Sequence, residues 1–479
     1  MPGDTNLTWD IFVHDSQTGV TERVSVGWLG TQGNDGSYYP SISADGRFVA
    51  FNSQASNLVS GDTNVTSDIF VHDRMTGVTE RVSVNSQGIQ GNLLCEDSSI
   101  SADGRYVAFS SSAKNLVPGD TNLKLDSFVH DRQTGVTERV SVSSQGIQGN
   151  NHCNGSSISA DGRYVAFYSL ASNLVPGDTN ACDDIFVHDR QTGVTERASV
   201  NPLGQQGNGH SRLPSLSASG QYVTFHSLAS NLVHADTNGY SDVFVYNRQT
   251  GVTDRVNVDS LGSQSNAPAL SPSISADGRY VAFHSGASNL VPGDTNGYYS
   301  DIFVYDRQTW VTERVSVDSF GVQGNSFSQS PSISADGRYV AFDSGAHNLV
   351  LGDSNGNYDI FLHDRWNGLG ENSIYLTGPS TSQVFTPVEL SWQTTRGNSQ
   401  YRLAYSLNIN GVVFGGHNFD LGNPMTVLAM GTNATNGAGS FTSPPVPLGA
   451  AGLTLYFEVA ARDGAGVLYD SNVHAVTFY

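Results

Sequence analysis

Residues 272–317 read PSISADGRYVAFHSGASNLVPGDTNGYYSDIFVYDRQTWVTERVSV, and near-copies of this stretch fill most of the chain. Its Ser-Ala-Asp-Gly-Arg corner starts at Ser43, Ser101, Ser159, Ser275 and Ser334, with Ser-Ala-Ser-Gly-Gln at Ser217, so successive units lie 58, 58, 58, 58 and 59 residues apart. A period this constant marks an array of one supersecondary unit. Within the unit, Arg279 to His284 and Asp301 to Asp306 are short runs rich in aromatic and β-branched residues, and Val311 to Val317 alternates apolar with polar; all three predict strands. Pro272 to Ser275 predicts a fourth, joined to the next by an Ala-Asp-Gly turn whose residues accept the backbone angles of a tight hairpin. A second hairpin closes at turns such as Gln249-Thr250-Gly251. Each unit therefore predicts a four-stranded antiparallel sheet, with strands A, B, C and D in chain order.

One such sheet cannot bury both faces alone, but a ring of them can, which makes the fold all-β and a β-propeller. The units resemble the TolB-like propeller repeat, whose usual corner is Ser-Pro-Asp-Gly-Lys before an apolar strand, followed by an Ile-Tyr-Val-x-Asp strand. The resemblance spans residues 1–365, with Ala in place of the family's corner Pro. It implies a propeller of the kind that serves as a protein-binding scaffold, as an accessory domain of peptidases or, less often, as a lyase or hydrolase. The C strands start at Asp10, Asp68, Asp126, Asp184, Asp242, Asp301 and Asp359, and the last is not followed by a Val-Thr-Glu-Arg copy. The expectation is that Val20 to Val26 supplies the missing D strand and closes six blades; the alternative is seven blades, one incomplete.

The domains expected are a propeller over 1–370, built from ~58-residue repeats, and an immunoglobulin-like or fibronectin-III-like β-sandwich over 373–479 with Trp392 as its core aromatic. That second region loses the period and keeps alternating strands such as Val388-Glu-Leu-Ser-Trp-Gln and Leu453-Thr-Leu-Tyr-Phe-Glu-Val. The 479 residues carry a net charge of −21, which argues against nucleic acid and anionic membranes as partners and permits cations. No apolar run reaches the length of a membrane span. Pro2-Gly-Asp-Thr-Asn copies the middle of a unit, so the chain reads either as a processed or trimmed form of a longer secreted, periplasmic or cell-surface bacterial protein, or as one whose first hairpin completes the last blade. Cys95, Cys153 and Cys182 have no zinc spacing and are odd in number, so neither a metal ribbon nor a disulfide scaffold is expected.

Function has three candidate seats. The first is the long B–C loop, which supplies Asp62, Asn64 and Asp68; Asp120, Asn122 and Asp126; Asp178, Asn180 and Asp184; Asp236, Asn238 and Asp242; Asp294, Asn296 and Asp301; and Asp353, Asn355 and Asp359. Hard cations want several oxygens, so this pattern suits Ca²⁺, although it lacks the closing bidentate Glu of a calcium loop. The other reading is that these side chains cap their own turn. The second seat is Gln-Gly-Asn in the D–A loop, at Gln32, Gln90, Gln148, Gln206 and Gln323, which leaves a propeller on the same face as the B–C loop. A protein or glycan partner is expected on that long-loop face.

The third seat is where units stop being alike, because a catalytic site needs an asymmetric constellation. Between Gln-Gly-Asn and strand A the outliers include Tyr38, Tyr39 and Phe327, and among them Glu96, Asp97, His152, His210 and Arg212 are the acid–base candidates for a glycan or uronate. No nucleophile elbow, phosphate loop or zinc motif is present. The repeated His14, His72, His130, His188 and His363 of strand C read as packing with one polar bond, since Tyr246 and Tyr305 replace them. The sequence thus favours a binding or structural propeller, with a carbohydrate-active hydrolase or lyase as the alternative.

Overall fold

The computed structural model describes residues 4–366 with their side chains and, beyond them, only backbone strands between Tyr375 and Phe478, so the expected sandwich and Trp392 lie outside the described residues. The chain separates into two compact units, Met1–His363 and Asp364–Tyr479. The first is a six-bladed β-propeller, with blades at 37–81, 95–139, 153–197, 211–255, 269–314 and 328–364. Blade two shows the pattern: A is Cys95–Ile100, B Tyr106–Ser111, C Asp126–Asp131 and D Val136–Arg139, each antiparallel to the next. Blade six has three described strands, Ser328–Ile333, Tyr339–Ser344 and Asp359–Asp364. No helix of the described residues is long and apolar enough to cross a membrane.

One expectation fails. Val20–Arg23 does not complete blade six; it pairs with Phe12–Asp15 as a separate hairpin. Ile11 and Val24, beside that hairpin, are buried against Val49, Phe51 and Phe70 of blade one, and no ladder joins the hairpin to Asp359–Asp364 among the described residues.

The strands pack because their alternation puts a different apolar row on each face. Val107 and Phe109 of blade two meet Ile69, Val71 and Ala50 of blade one, while Ala108 and Val129 meet Ile158 and Val165 of blade three. Across each sheet two phenylalanines stack, as Phe109 does on Phe128 with centroids 5.9 Å apart. The Asp-Gly corner locks one blade to the last. Ser101 Oγ donates to Asp103 (2.6 Å) and accepts from the Tyr106 amide (2.9 Å), and Gly104, at φ +72°, lies where a Cβ would fall 2.2 Å from the Phe48 ring. From corner to corner a belt of backbone bonds runs Ala44 to Ala102, Ala102 to Ala160, Ala160 to Ala218, Ala218 to Ala276 and Ala276 to Ala335, each amide donating over 2.9–3.0 Å. Among the described residues no such bond returns from Ala335 to Ala44.

The A strands of neighbouring blades lie side by side from blade one to blade six, and the D strands do not meet, so A forms the inner wall. Each A strand of the six blades is bulged between its second and fifth residues. The third residue there is left-handed even where it is not glycine: Tyr39, Asp97, Leu213, Ser271 and Ser330 have φ of 50–55°. Bulges of this kind re-aim side chains at the rim of a sheet.

Candidate functional site

In blades one and three the loop carboxylates are met by protein donors. In blade three, buried Asp184 accepts from Ser199 Oγ at 2.6 Å, Asn180 Nδ2 at 3.0 Å and Arg197 at 2.9 Å, while Arg197 also lies 3.5 Å from Asp178. In blade one, Gln90 Nε2 donates to both Asp62 (2.7 Å) and Asp68 (2.8 Å), with the Arg81 guanidinium 3.5 and 3.6 Å away. Arg139 stands beside Asp120 and Asp126, Arg255 beside Asp236 and Asp242, and Arg314 beside Asp294 and Asp301. Asn122, Asn238, Asn296 and Asn355 each donate to the Asp that opens the following strand, Asn355 to Asp359 at 2.8 Å beyond Asp353. Ca²⁺ needs six or more oxygens aimed at one point. Here the oxygens face a fixed cation and amide donors, and no group of three or more His, Cys, Asp or Glu among the described residues is placed to hold a metal ion. In blade five Asp294 Oδ1 and Asn296 Oδ1 are buried with no hydrogen-bond partner among the described residues. The D–A glutamine and the B–C aspartates, which look like separate repeats in sequence, form one network.

Of the acid–base candidates, Glu96, Asp97 and Arg212 come near the Tyr168 phenol, while His152 and His210 bond backbone amides of the loops. Glu96 and Arg212 occupy the same position, second in strand A, of blades two and four, and Asp97 takes the left-handed bulge beside Glu96. Glu96 reaches Asn154 of the next blade at 3.5 Å. Arg212 is held by Asp183, to which Nε donates at 2.6 Å, and His210 accepts the Asp183 amide at 3.0 Å. His152 accepts the Leu125 amide at 3.2 Å and belongs to the loop. Phe327 packs edge-on to Tyr299, with centroids 4.8 Å apart. The strand-C histidines bond their neighbours on strand D, as His130 Nδ1 does Thr137 Oγ1 at 2.8 Å. Cys95 and Cys153 are buried free thiols, each 3.2 Å from a serine hydroxyl.

What the sequence reading missed is a cross-strand register. The second residue of A pairs with the fifth of B, giving Tyr38 with Asn52, Glu96 with Ser110, Asn154 with Tyr168, Arg212 with His226, Leu270 with His284, and Gln329 with Asp343. No two blades carry the same pair, although the flanking residues barely change. The available signal was the variable residue of the Tyr-Val-Ala-Phe-x-Ser strand. Within this register Asn52 Oδ1, Ser110 Oγ, His226 Nδ1 and His284 Nδ1 are buried and without a partner among the described residues.

Burial governs the electrostatics here. It pushes the Glu96 and Asp97 carboxyls up, with Asp97 adding to the effect on Glu96, and it raises the Tyr168 phenol, on which Asp97, Arg212, Asp183 and Glu96 also act. Burial, with Arg212 and His284 nearby, lowers the His226 imidazole to about 4, and burial lowers His284 as well. Both imidazoles are therefore neutral at pH 7, and each ring must accept at one nitrogen and donate at the other.

No family model and no curated protein matches the chain. Among solved structures the propeller is distantly similar to an Agrobacterium tumefaciens protein assigned as TolB, at 18% identity and a TM-score of 0.41 over 74% of this chain and 97% of that one. It is also similar to a puromycin-hydrolyzing peptidase of Mycobacterium tuberculosis, at 11% and 0.40 over 79% and 54%. A Trypanosoma rangeli sialidase in complex with sialic acid matches at 10% and 0.33 over 96% and 86%. Likeness at these values concerns the fold and carries nothing about activity.

Proposed function

We propose that the chain is a binding propeller that takes a neutral, hydroxyl-rich ligand, a glycan, on its inner wall beneath the long loops. The observation that carries this reading is the set of four buried polar atoms of strand B, paired with the inner-wall strand at equivalent positions in blades one, two, four and five and without partners among the described residues. An unmet buried polar atom costs about 1–3 kcal/mol. A sugar hydroxyl both donates and accepts, so it suits a wall of neutral imidazoles, a carboxamide oxygen and a serine. Tyr38 and Tyr39, exposed by 37% and 66%, add rings on which a sugar face can rest. Arginine side chains brace the long loops around this wall.

The test is calorimetry of the full chain with neutral cello-, xylo- and chito-oligosaccharides against oligogalacturonides. The paired substitution His226→Phe with His284→Phe removes two unmet polar atoms, so the protein should stay folded and lose one neutral-oligosaccharide binding event. Equal binding by this variant, or a preference for the charged oligomers, would sink the reading.

The second reading, a hydrolase or lyase, is favoured by one observation: Glu96 and Asp97 are adjacent carboxyls that both hold a proton more readily than usual, near the Tyr168 phenol and Arg212. Release of new reducing ends or unsaturated uronates, abolished by Glu96→Gln or Asp97→Asn with folding intact, would establish it in place of simple binding.

A further inference from the structure

The groove between blades four and five departs from the other blade-to-blade grooves at several positions that converge. Strand D of blade four, Val252–Arg255, carries Asp254 where the equivalent residues are Glu22, Glu80, Glu138, Glu196 and Glu313. The shorter acid loosens an ion pair: Arg307 of blade five lies 3.5 Å from Asp254, whereas Arg132 meets Glu80 and Arg190 meets Glu138 at 2.5 Å. In the B–C loop of blade four, His234-Ala235 replaces the Pro-Gly of blades two, three and five. In the C–D turn of blade five, Trp310 replaces the glycine found at Gly77, Gly135, Gly193 and Gly251.

Two of these changes run against backbone preference. Trp310 sits at φ +61° and Ala235 at φ +59°, in slots that other blades fill with glycine, such as Gly193 at +73° and Gly177 at +75°. The turn gains nothing from the tryptophan, because its amide donates to Asp306 O at 2.7 Å just as Gly193 donates to Asp189 O at 2.7 Å. Nor does the core, since the side chain is 68% exposed. A strained backbone that holds a large ring in solvent points to a use for the ring. The indole borders a cavity of about 450 Å³ that is also lined by His234, Asp254, Arg255, Tyr305 and Arg307.

We infer that this cavity is a saccharide-binding site, separate from the inner wall and independent of the reading proposed for it. Its volume lies within the roughly 300–1,000 Å³ typical of small-ligand sites. The indole face covers the C–H face of a pyranose, as an aromatic quadrupole favours. Asp254 and Arg307, loosened from each other, present a planar acceptor and a planar donor to neighbouring hydroxyls. Their opposite charges, with Arg255 already paired to Asp236 and Asp242, favour a neutral sugar over a uronate.

The test uses two substitutions that restore the residue carried by other blades and so keep the fold. Full-chain protein, Trp310→Gly and Asp254→Glu are titrated by calorimetry with neutral cello-, xylo-, manno- and chito-oligosaccharides up to millimolar concentration. Trp310→Gly should melt at a higher temperature, through release of strain, while binding about tenfold or more weakly. Asp254→Glu should close the pair with Arg307 and weaken binding similarly. Repeated in the His226→Phe, His284→Phe background, both restoring substitutions should weaken the binding that remains, which assigns it to this cavity. Affinity that survives both restoring substitutions, or no binding by the unaltered chain, overturns the proposal.

Discussion

Arg197 shows how one residue settles what a loop can hold. Its side chain is 10% exposed between Asp178 and Asp184, and without it two enclosed carboxylates would face each other. Arg197→Met should destabilise the propeller by about 3 kcal/mol in a urea titration, the cost of breaking a buried pair from one side. Addition of EDTA to the unaltered protein should leave its melting temperature unmoved; a fall reversed by calcium would show that a cation, not the guanidinium, closes these loops. The corner arginines make a pH prediction. Arg163 donates to both oxygens of Asp189, at 2.8 and 2.6 Å, and holds that carboxyl well below the usual range, as Arg47 does Asp73 and Arg105 does Asp131. A folded carboxyl that gives up its proton more readily than in the unfolded chain contributes stability above about pH 4 and loses it as pH falls further. Asp301 has the opposite sign: burial pushes it up to about 6, so its contribution is whole below about pH 4 and is lost as pH rises through 6. Melting temperature should therefore fall steeply below pH 4, less so in Arg163→Gln, and Asp301→Asn should flatten the decline between pH 4 and 6.

At the scale of the element, the hairpin turns do two jobs, and a glycine from each kind of turn separates them. Gly193, at φ +73° with nothing within 4 Å of its Cβ position, answers only to backbone preference, so Gly193→Ala should cost about 1 kcal/mol. Gly162 has the same φ, but its Cβ position lies 2.1 Å from the Tyr106 ring of the preceding blade, so Gly162→Ala should cost about 2 kcal/mol more through overpacking. Equal losses in chemical denaturation would mean that the corner does not wedge the blades. This double demand is why the period was legible in sequence: every corner keeps Gly for its angle, and all but the Ser219 corner of blade four carry Asp for its turn. The inner-wall register was not legible. Matching Glu96 to Ser110 requires the bulge at Asp97, and a left-handed Asp97, Leu213 or Ser271 leaves no mark in the sequence, whereas Gly155 would. The hairpin Phe12–Asp15 with Val20–Arg23 was misplaced for another reason. All Val-Thr-Glu-Arg strands read alike, and only the burial of Ile11 and Val24 against blade one decides where this one goes.

Across the whole propeller, stability is a sum over neighbours rather than over one core. Ile360 and Leu362 of blade six are 79% and 51% exposed, whereas the equivalent Ile302 and Val304 of blade five are fully buried. Hydrogen exchange should therefore show protection falling from blade three to blade six, with Asp359–Asp364 among the first strands to exchange. Uniform protection would mean that the unit opens all at once. The corner belt between Ala44 and Ala335 is the same from one junction to the next, and so, except between blades four and five, is the arginine that reaches back to the preceding blade, while the paired inner-wall positions differ in every blade. Recombination between near-identical repeats could therefore reorder the recognition groups as cassettes, leaving every junction as it was. Such a molecule can revise its specificity by shuffling, with no new side chain and no new fold.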